Sequence, residues 1–304
     1  MSLTAGIFLA FFAILYGSPL AALILGAGFT LIFRPSEELI QKSTGTLFLQ
    51  AGIILIGLTM SASNAVQLTA TYFPYISIYV VSTFFVGVLI GKIFKIDSKL
   101  SILIASGTAI CGATAIAAVS PLIKAKPKDL LTSLSIIFIF NAIAIAIFPM
   151  IGNSIEMSDE SFGAWMAMAI HDTSSVIGAA LSFGGSAAET AATLKLGRTL
   201  WLIPLIIVLG VLFKDENKKR AKLPLFVFFF ILAIFLGTQL GLDKQTILIV
   251  NDLSKVFLIA ALFCIGTQIS PNSLKEVDVK TISSATMLWF FALTISFFLI
   301  NWLQ

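Results

Sequence analysis

Three ionisable side chains lie deep inside apolar stretches of this sequence: Asp172, Lys195 and Arg198. The single histidine, His171, adjoins the first of them. A Lys or Arg at the centre of a bilayer costs on the order of 2.5–3.5 kcal/mol, so it faces a protein interior or water. The i, i+3 spacing of the two cations places both on one face of a helix, about 9 and 14 Å from its start near Glu189. Two cations and one acid leave about one positive charge uncompensated, which favours an anionic ligand.

Hydroxyl-bearing and small residues accompany these charges. Helix interruptions are predicted at SGTAICGATA (Ser106–Ala115) and HDTSSVIG (His171–Gly178). Half-helices that begin after Gly112 and after Asp172 would direct backbone N–H groups at a shared cavity, where an oxyanion such as sulfate, sulfonate or carboxylate binds well. The candidate substrate-binding residues are Lys195, Arg198, Asn141, Thr173, Ser174, Ser175, Thr108, Cys111, Gly112 and Thr114, and the candidate ion-coupling residues are Asp172 and His171.

Each charged candidate also has a purely structural interpretation. Asp172 would serve as the N-cap of the second half-helix, and His171 as a hydrogen-bonded interior histidine. Lys195 and Arg198 would extend to the outer membrane interface. An Asp–His pair would instead couple transport to protons, because imidazole titrates near neutral pH. The sequence leaves these alternatives open.

The composition predicts a membrane around these residues. Of 304 residues, 58% are hydrophobic and 11% are charged, too few polar side chains to coat a water-soluble globule. A net charge of +4 spread between apolar segments does not indicate a nucleic-acid partner. A spanning helix takes about 20 residues, so the apolar runs predict nine or ten spans in one all-α polytopic domain. Cys111 and Cys264 predict neither a disulfide nor a metal site, and no cofactor is expected.

Charge along the chain predicts an orientation and two unusual segments. Both flanks of Ser101–Ile123 are rich in lysine, whereas both flanks of Phe162–Phe183 lack cations. Each segment is therefore predicted to be a re-entrant hairpin or a broken spanning helix. By the positive-inside rule the cytoplasmic linkers are Arg34–Lys42, Lys92–Lys99, Lys124–Lys128 and Lys214–Lys222, and the outward linkers are Ala62–Thr71, Gly152–Glu160 and Gly184–Ala188.

Two internal similarities predict inverted repeats. Leu47–Ser61 matches Val256–Ser270 at six of fifteen positions with an offset of 209 residues. A second similarity, with an offset of 60, pairs Ile110 with Ile170. Interrupted helices in corresponding positions of inverted halves are typical of secondary transporters that bind substrate near the midplane. Apolar low complexity alone would also produce such matches.

Four blocks of sequence resemble the YeiH-like bacterial membrane proteins, which carry the label of sulfate exporters. The blocks are ICGATAIAAVSPLIKA, FNAIAIAIFPMIG, FGAWMAMAIHDTSSVIGAA and LKLGRTLWLIP, from Ile110 to Pro204. The resemblance implies an inner-membrane transporter of about ten helices. It also implies distant similarity to the inverted-repeat cation/proton antiporter and anion transporter superfamily, in which broken helices form a core against a scaffold and dimers are common. It implies site roles for Asn141, His171, Asp172, Thr173, Ser174, Lys195 and Arg198.

These observations together predict a multi-pass transporter of the bacterial inner membrane, not an enzyme. It would export a small anion such as sulfate or a sulfonate by alternating access, with protons as one candidate coupling ion. The expected partners are the substrate, membrane lipid and a second copy of the chain, with no ATPase. The single domain, 1–304, would divide into a scaffold-like part (1–98 and 222–304) and a core-like part (99–213). The alternatives are a passive anion channel and an intramembrane enzyme that uses His171 and Asp172.

Overall fold

The computed structural model describes residues 2–33, 45–213, 225–267 and 278–303. Within these ranges the chain is helical and has no strand, which confirms the predicted all-α class. The predicted linkers Arg34–Lys42 and Lys214–Lys222 lie outside the described residues. The helices are α1 (Ser2–Tyr16), α2 (Pro19–Phe33), α3 (Gly45–Thr59), α4 (Ala62–Ile93), α5 (Ser98–Ala109), α6 (Ala113–Leu122), α7 (Pro127–Ser154), α8 (Asp159–Ala169), α9 (Thr173–Phe183), α10 (Ala187–Thr199), α11 (Leu202–Leu212), α12 (Leu225–Leu240), α13 (Lys244–Gly266) and α14 (Val279–Leu303).

Five stretches of the described chain are long and apolar enough to cross a membrane: α4, α7, α10 together with α11, α13 and α14. The protein is therefore a multi-pass membrane protein. Other apolar helices are shorter, such as α1 and α2 with 15 residues each. Where the sequence predicts nine or ten spans, the described helices provide five of full length.

One predicted linker is wrong. Ala62–Thr71 is expected to be an outward loop, but α4 begins at Ala62 and runs for 32 residues through this segment. The segment contains neither glycine nor proline that would end a helix. The prediction treated the polar side chains of this segment as a loop signal, whereas they lie on the first turns of α4, before its more apolar part.

The segment 98–122 forms a helical hairpin, which we call the first hairpin. Its two helices, α5 and α6, are separated by Ile110–Gly112, and Gly112 has a φ of +57°, which L side chains rarely adopt. The two outer ends of the hairpin meet, because Lys99 Nζ donates a 2.8 Å hydrogen bond to the Lys124 carbonyl. α5 has 12 residues, or about 18 Å, and therefore reaches only part of the way through a ~30 Å hydrocarbon core.

The segment 159–183 forms the second hairpin from α8 and α9. Its outer ends also meet: the Ser186 amide donates a 2.9 Å hydrogen bond to Asp159 Oδ2, and the rings of Phe162 and Phe183 stack with centroids 3.9 Å apart. The break covers Ile170–Asp172. The interruption predicted within His171–Gly178 lies at its first two residues, and α9 begins after Asp172 as predicted.

The bases of the two hairpins lie at opposite ends of α7. The linkers Lys92–Lys99 and Lys124–Lys128 meet at the base of the first hairpin. The linkers Gly152–Glu160 and Gly184–Ala188 meet at the base of the second hairpin. These two basic linkers therefore lie at the end of the molecule where α7 begins, and these two cation-free linkers lie at the end where α7 stops.

Helices α3 and α13 lie antiparallel. The rings of Phe48 and Phe257 are 5.9 Å apart, and farther along α3 the Thr59 hydroxyl donates a 3.1 Å hydrogen bond to Asn251 Oδ1. Later residues of α3 thus contact earlier residues of α13, as in an antiparallel pair. Phe48 and Phe257 are also an identical pair of the predicted repeat at offset 209; the last residues of that repeat, 268–270, lie outside the described residues.

Glycine permits the close approach of α2 and α13. A Cβ built on Gly26 would lie 2.1 Å from the carbonyl oxygen of Phe263, and one on Gly266 would lie 2.3 Å from the carbonyl oxygen of Leu23. No real Cβ tolerates such a contact with backbone. The two helices can therefore pack at this distance only because both positions lack a side chain.

We predict that Gly26→Ala destabilises the protein by about 1–3 kcal/mol, because the new methyl group must push the two helices apart. The measurement is the midpoint of thermal unfolding of the purified protein in detergent. Gly28→Ala on the same helix is the matched control, since a Cβ there has nothing within 4 Å. Equal midpoints for the two variants would contradict the packing argument.

Candidate functional site

The tips of the two hairpins meet inside the protein. A Cβ on Gly112 would lie 3.0 Å from Asp172 Cβ, so the two breaks are in van der Waals contact. We call this region, Ile110–Gly112 with Ile170–Asp172, the crossing. α5 and α8 end here and present carbonyl groups, whereas α6 and α9 begin here and present N–H groups. The crossing therefore has a negative side and a positive side.

Arg198 occupies the negative side. Its Nε donates to the Ala109 carbonyl at 2.8 Å, and one terminal nitrogen donates to Ala167 and Met168 at 2.8 and 2.7 Å. The other terminal nitrogen donates to the Thr108 carbonyl. The side chain is fully buried. Arg198 thus joins the carbonyl ends of both hairpins, and at most one of its five N–H donors lacks a carbonyl partner.

Lys195 also lies on the negative side, but it makes fewer contacts. Its Nζ donates a 2.7 Å hydrogen bond to the Ile170 carbonyl, and the residue is fully buried. An ammonium group has three N–H donors. Among the described residues this carbonyl is its one hydrogen-bond acceptor, so two of its N–H donors have no partner there. The alternative that Lys195 and Arg198 extend to the outer interface does not fit their complete burial.

Asn141 of α7 connects His171 to Asp172. Its Oδ1 accepts hydrogen bonds from the His171 backbone at 3.2 Å and from His171 Nδ1 at 3.0 Å. Its Nδ2 donates to Asp172 Oδ1. The amide oxygen can only accept, so Nδ1 carries the ring hydrogen. One amide therefore sets both the tautomer of the histidine and the position of the carboxylate.

Aromatic rings close the histidine side of the site. Phe140 lies 6.2 Å from the His171 ring, and Trp289 stacks on Phe140 at 4.7 Å with an interplanar angle of 4°. His171 Nε2 is buried and has no hydrogen-bond partner among the described residues. The histidine ring is therefore hydrogen-bonded at Nδ1 and has no hydrogen bond at Nε2 among the described residues.

Asp172 and the hydroxyl groups lie on the positive side. Asp172 is the N-cap of α9 by position, but its carboxylate accepts from the Ser174 hydroxyl and makes no side-chain cap hydrogen bond to the backbone. Gly112, the N-cap of α6, has no side chain to cap with. In the first turns, Thr114 is exposed, Thr173 is half-buried and Ser175 is buried. The positive side therefore reaches the protein surface, whereas the cations on the negative side are sealed.

The remaining predicted residues lie at the crossing in other roles. Thr108 contributes its carbonyl oxygen to Arg198. Cys111 is a buried free cysteine within the first break. Among the described residues, His, Cys, Asp and Glu side chains form no group of three that could bind a metal ion.

The sequence prediction missed Tyr79 of α4. The Arg198 guanidinium carbon lies 4.7 Å from the centre of the Tyr79 ring, a cation–π distance, and the tyrosine hydroxyl donates a 3.5 Å hydrogen bond to the Thr108 carbonyl. Tyr79 is fully buried. Its spacing along α4 gives no signal for this role, because an aromatic residue in an apolar helix is ordinarily a packing residue.

Comparison with known proteins finds a family rather than a known activity. Residues 3–285 match the family model described as Conserved hypothetical protein 698. The chain is similar to a UPF0324 membrane protein of Bacteroides thetaiotaomicron, with 40% identity over 90% of this chain and 83% of the relative. It is also similar to one of Porphyromonas gingivalis, with 36% identity over 90% and 83%, and one of Shewanella oneidensis, with 36% over 90% and 85%. No solved structure matches the chain.

We predict that Arg198→Ala lowers stability by about 3–5 kcal/mol, because buried carbonyl groups of two helix ends lose their donor. Thermal unfolding in detergent measures the effect. Lys195→Met, which removes one carbonyl contact, is the comparison and should cost clearly less. An Arg198→Ala variant with an unchanged midpoint would show that these hydrogen bonds do not hold the crossing together.

Proposed function

The chain belongs to the family described as Conserved hypothetical protein 698, and from that premise and the site geometry we propose that it is a secondary active transporter that exports a small anion. Sulfate and sulfonates are the proposed substrate class. The observation that carries the proposal is the crossing, where two buried cations and one carboxylate lie at helix ends inside a membrane protein.

The charges at the crossing do not cancel. Lys195 and Arg198 carry two positive charges, and Asp172 carries one negative charge. Each helix C-terminus contributes about −0.5 and each N-terminus about +0.5 of a charge, so the four helix ends sum to about zero. About one positive charge is left, and in a low-dielectric interior it attracts an anion far more strongly than it would in water.

We place the anion on the positive side of the crossing. Arg198 has its donors engaged with carbonyl groups, so its proposed role is to hold the hairpins together. The first turns of α6 and α9 offer backbone N–H groups, and Thr114, Thr173 and Ser175 add hydroxyl donors. The positive charge of Lys195 supplies further attraction. The direct anion contact that the sequence assigns to Arg198 stays a prediction.

The proposed mechanism is alternating access around this site. Two features support an inverted repeat: the bounds of α5 and α6 recur at α8 and α9 with the offset of 60 residues to within one residue, and α3 lies antiparallel to α13. In the proposal both hairpins are re-entrant from opposite sides of the inner membrane, and the end with the basic linkers is cytoplasmic.

Protons are the proposed coupling ion. Asp172 occupies the positive side of the crossing, where the anion would also bind, so two negative charges would compete there. Protonation of Asp172 removes that repulsion. The Asn141 amide holds the carboxylate beside His171, whose Nε2 is the ring nitrogen that could accept a second proton.

We predict that sulfate or taurine raises the unfolding midpoint of the purified protein, and that Lys195→Gln reduces the apparent affinity on the order of tenfold, as expected for the loss of a nearby positive charge in a low-dielectric interior. Lys255→Gln is the matched control, because that lysine is exposed and pairs with Asp252. Identical ligand responses in both variants would remove Lys195 from the site.

Reconstitution separates this proposal from its rivals. A coupled transporter in vesicles should accumulate labelled sulfate beyond electrochemical equilibrium when a proton gradient is applied. A passive channel would stop at equilibrium. An intramembrane enzyme would turn over a lipid substrate without net flux.

We predict that Asp172→Asn abolishes the pH dependence of sulfate binding. The wild-type protein should bind more weakly as pH rises, because the ionised carboxylate repels the anion, whereas the amide imitates the protonated acid at every pH. Binding measured at several pH values checks this, with the exposed Asp252→Asn as control. A wild-type slope that persists in Asp172→Asn would contradict the proposed coupling.

A further inference from the structure

Seven lysines of the described residues lie at one end of the folded molecule, and we call this surface the lysine face. It surrounds the base of the first hairpin and includes the ends of α4 and α6 and the beginnings of α5, α7 and α14. All but one of these lysines are exposed, and the exception, Lys99, is half-buried. The lysine face comprises Lys92, Lys95, Lys99, Lys124, Lys126, Lys128 and Lys280.

The carboxylates at this end are engaged with backbone amides. Asp97 accepts from the Lys99 amide at 2.9 Å, Asp129 from the Lys126 amide at 3.2 Å, and Asp278 from the Thr281 amide at 2.7 Å. In the described chain the one ion pair within 4.0 Å, Lys255 with Asp252, belongs to a different helix. Among the described residues at this end, seven lysines therefore face three aspartates with no close ion pair among them.

Two of the lysines occupy unfavourable backbone positions. Lys95 and Lys124 follow the ends of α4 and α6 with φ values of 55° and 51°, where glycine is usual. A lysine near a helix C-terminus does interact favourably with the helix dipole. However, Glu156 follows α7 with a φ of 52° in the same hydrogen-bond pattern, although the dipole opposes its charge. At these three positions, the sign of the side-chain charge therefore matches the end of the molecule on which the residue lies and not the direction of the helix dipole.

Apolar side chains lie directly beside the lysine face. Ile93 is 65% exposed, Leu131 58% and Val279 80%, and each adjoins a lysine within three residues in sequence. In a membrane protein such exposed apolar residues face the acyl chains. The lysines therefore lie at the level of the lipid headgroups.

We propose that the lysine face binds the phosphate groups of anionic phospholipids, with Lys95 and Lys124 as the central contacts at the base of the first hairpin. The chemistry fits a headgroup better than a free ion, because lysine donors and apolar contacts lie side by side, as a lipid requires. This site is separate from the crossing and does not depend on the proposed transport activity.

The experiment uses delipidated full-length protein in neutral detergent. Dioleoyl phosphatidylglycerol is titrated, with dioleoyl phosphatidylcholine and inorganic phosphate as separate arms, and bound lipid is counted by native mass spectrometry beside the unfolding midpoint. Lys95→Gln/Lys124→Gln is compared with Lys244→Gln/Lys255→Gln, an equal charge change on α13 outside the lysine face. We expect the first variant to lose phosphatidylglycerol affinity on the order of tenfold and the second to bind like wild type.

Three outcomes would overturn the proposal. Equal losses in both double variants would mean non-specific charge attraction. Saturable stabilisation by inorganic phosphate that Lys95→Gln/Lys124→Gln abolishes would mean a free-anion site at the lysine face, distinct from any anion binding at the crossing. The third involves Lys95→Gly/Lys124→Gly, which relieves the positive φ values and removes the charge. If that variant keeps wild-type lipid affinity, the lysines serve only the backbone; the proposal requires it to lose affinity as the glutamine variant does.

Discussion

The hydrogen bonds from Arg198 to the carbonyl ends of two hairpins are the constraint on which the rest of the structure depends. A membrane interior offers no water to unpaired backbone groups, and each one left unsatisfied costs several kcal/mol. Two helices that end inside the protein create several such groups at once. One guanidinium on α10 satisfies carbonyls from α5 and α8 together, and it can do so because its donors form a planar fork where an ammonium group would be a single point. The hairpin architecture is thus tied to one side chain.

The same constraint divides the crossing by function. The negative side is occupied by buried cations that complete the fold, whereas the positive side carries hydroxyl groups, two helix starts without a side-chain cap to the backbone and the Asp172 carboxylate. In the proposal, an anion would bind the N–H groups of the positive side, to which Asp172 makes no side-chain hydrogen bond, without breaking the contacts that hold the hairpins. The contacts that hold the hairpins together and the proposed anion-binding groups therefore belong to different helix ends of one short junction, and Lys195 contacts the break of the second hairpin between them.

Much of this site is predictable from the sequence because charged residues in apolar segments are costly and therefore informative. The starts of α6 after Gly112 and of α9 after Asp172 agree with the predicted positions. The partners of Arg198 are not predictable, since they are backbone carbonyls, which every residue type has. The same reasoning explains the missed Tyr79, and the helical Ala62–Thr71 shows that polarity alone does not end a helix.

The contacts of α4 also bear on which parts of the molecule can move. Tyr79 of α4 covers Arg198, and Gly87 of α4 lies against Ala105 of α5 and Leu288 of α14. The predicted boundary at residue 98 between scaffold-like and core-like parts cuts across these contacts. By contrast, α9 meets α13 through apolar atoms, as where Gly178 lies against Leu262. Apolar surfaces can slide without loss of hydrogen bonds, whereas a cation–π contact is lost on displacement. A rigid-body motion around the crossing would therefore carry α4 with the hairpins and move them together against α13.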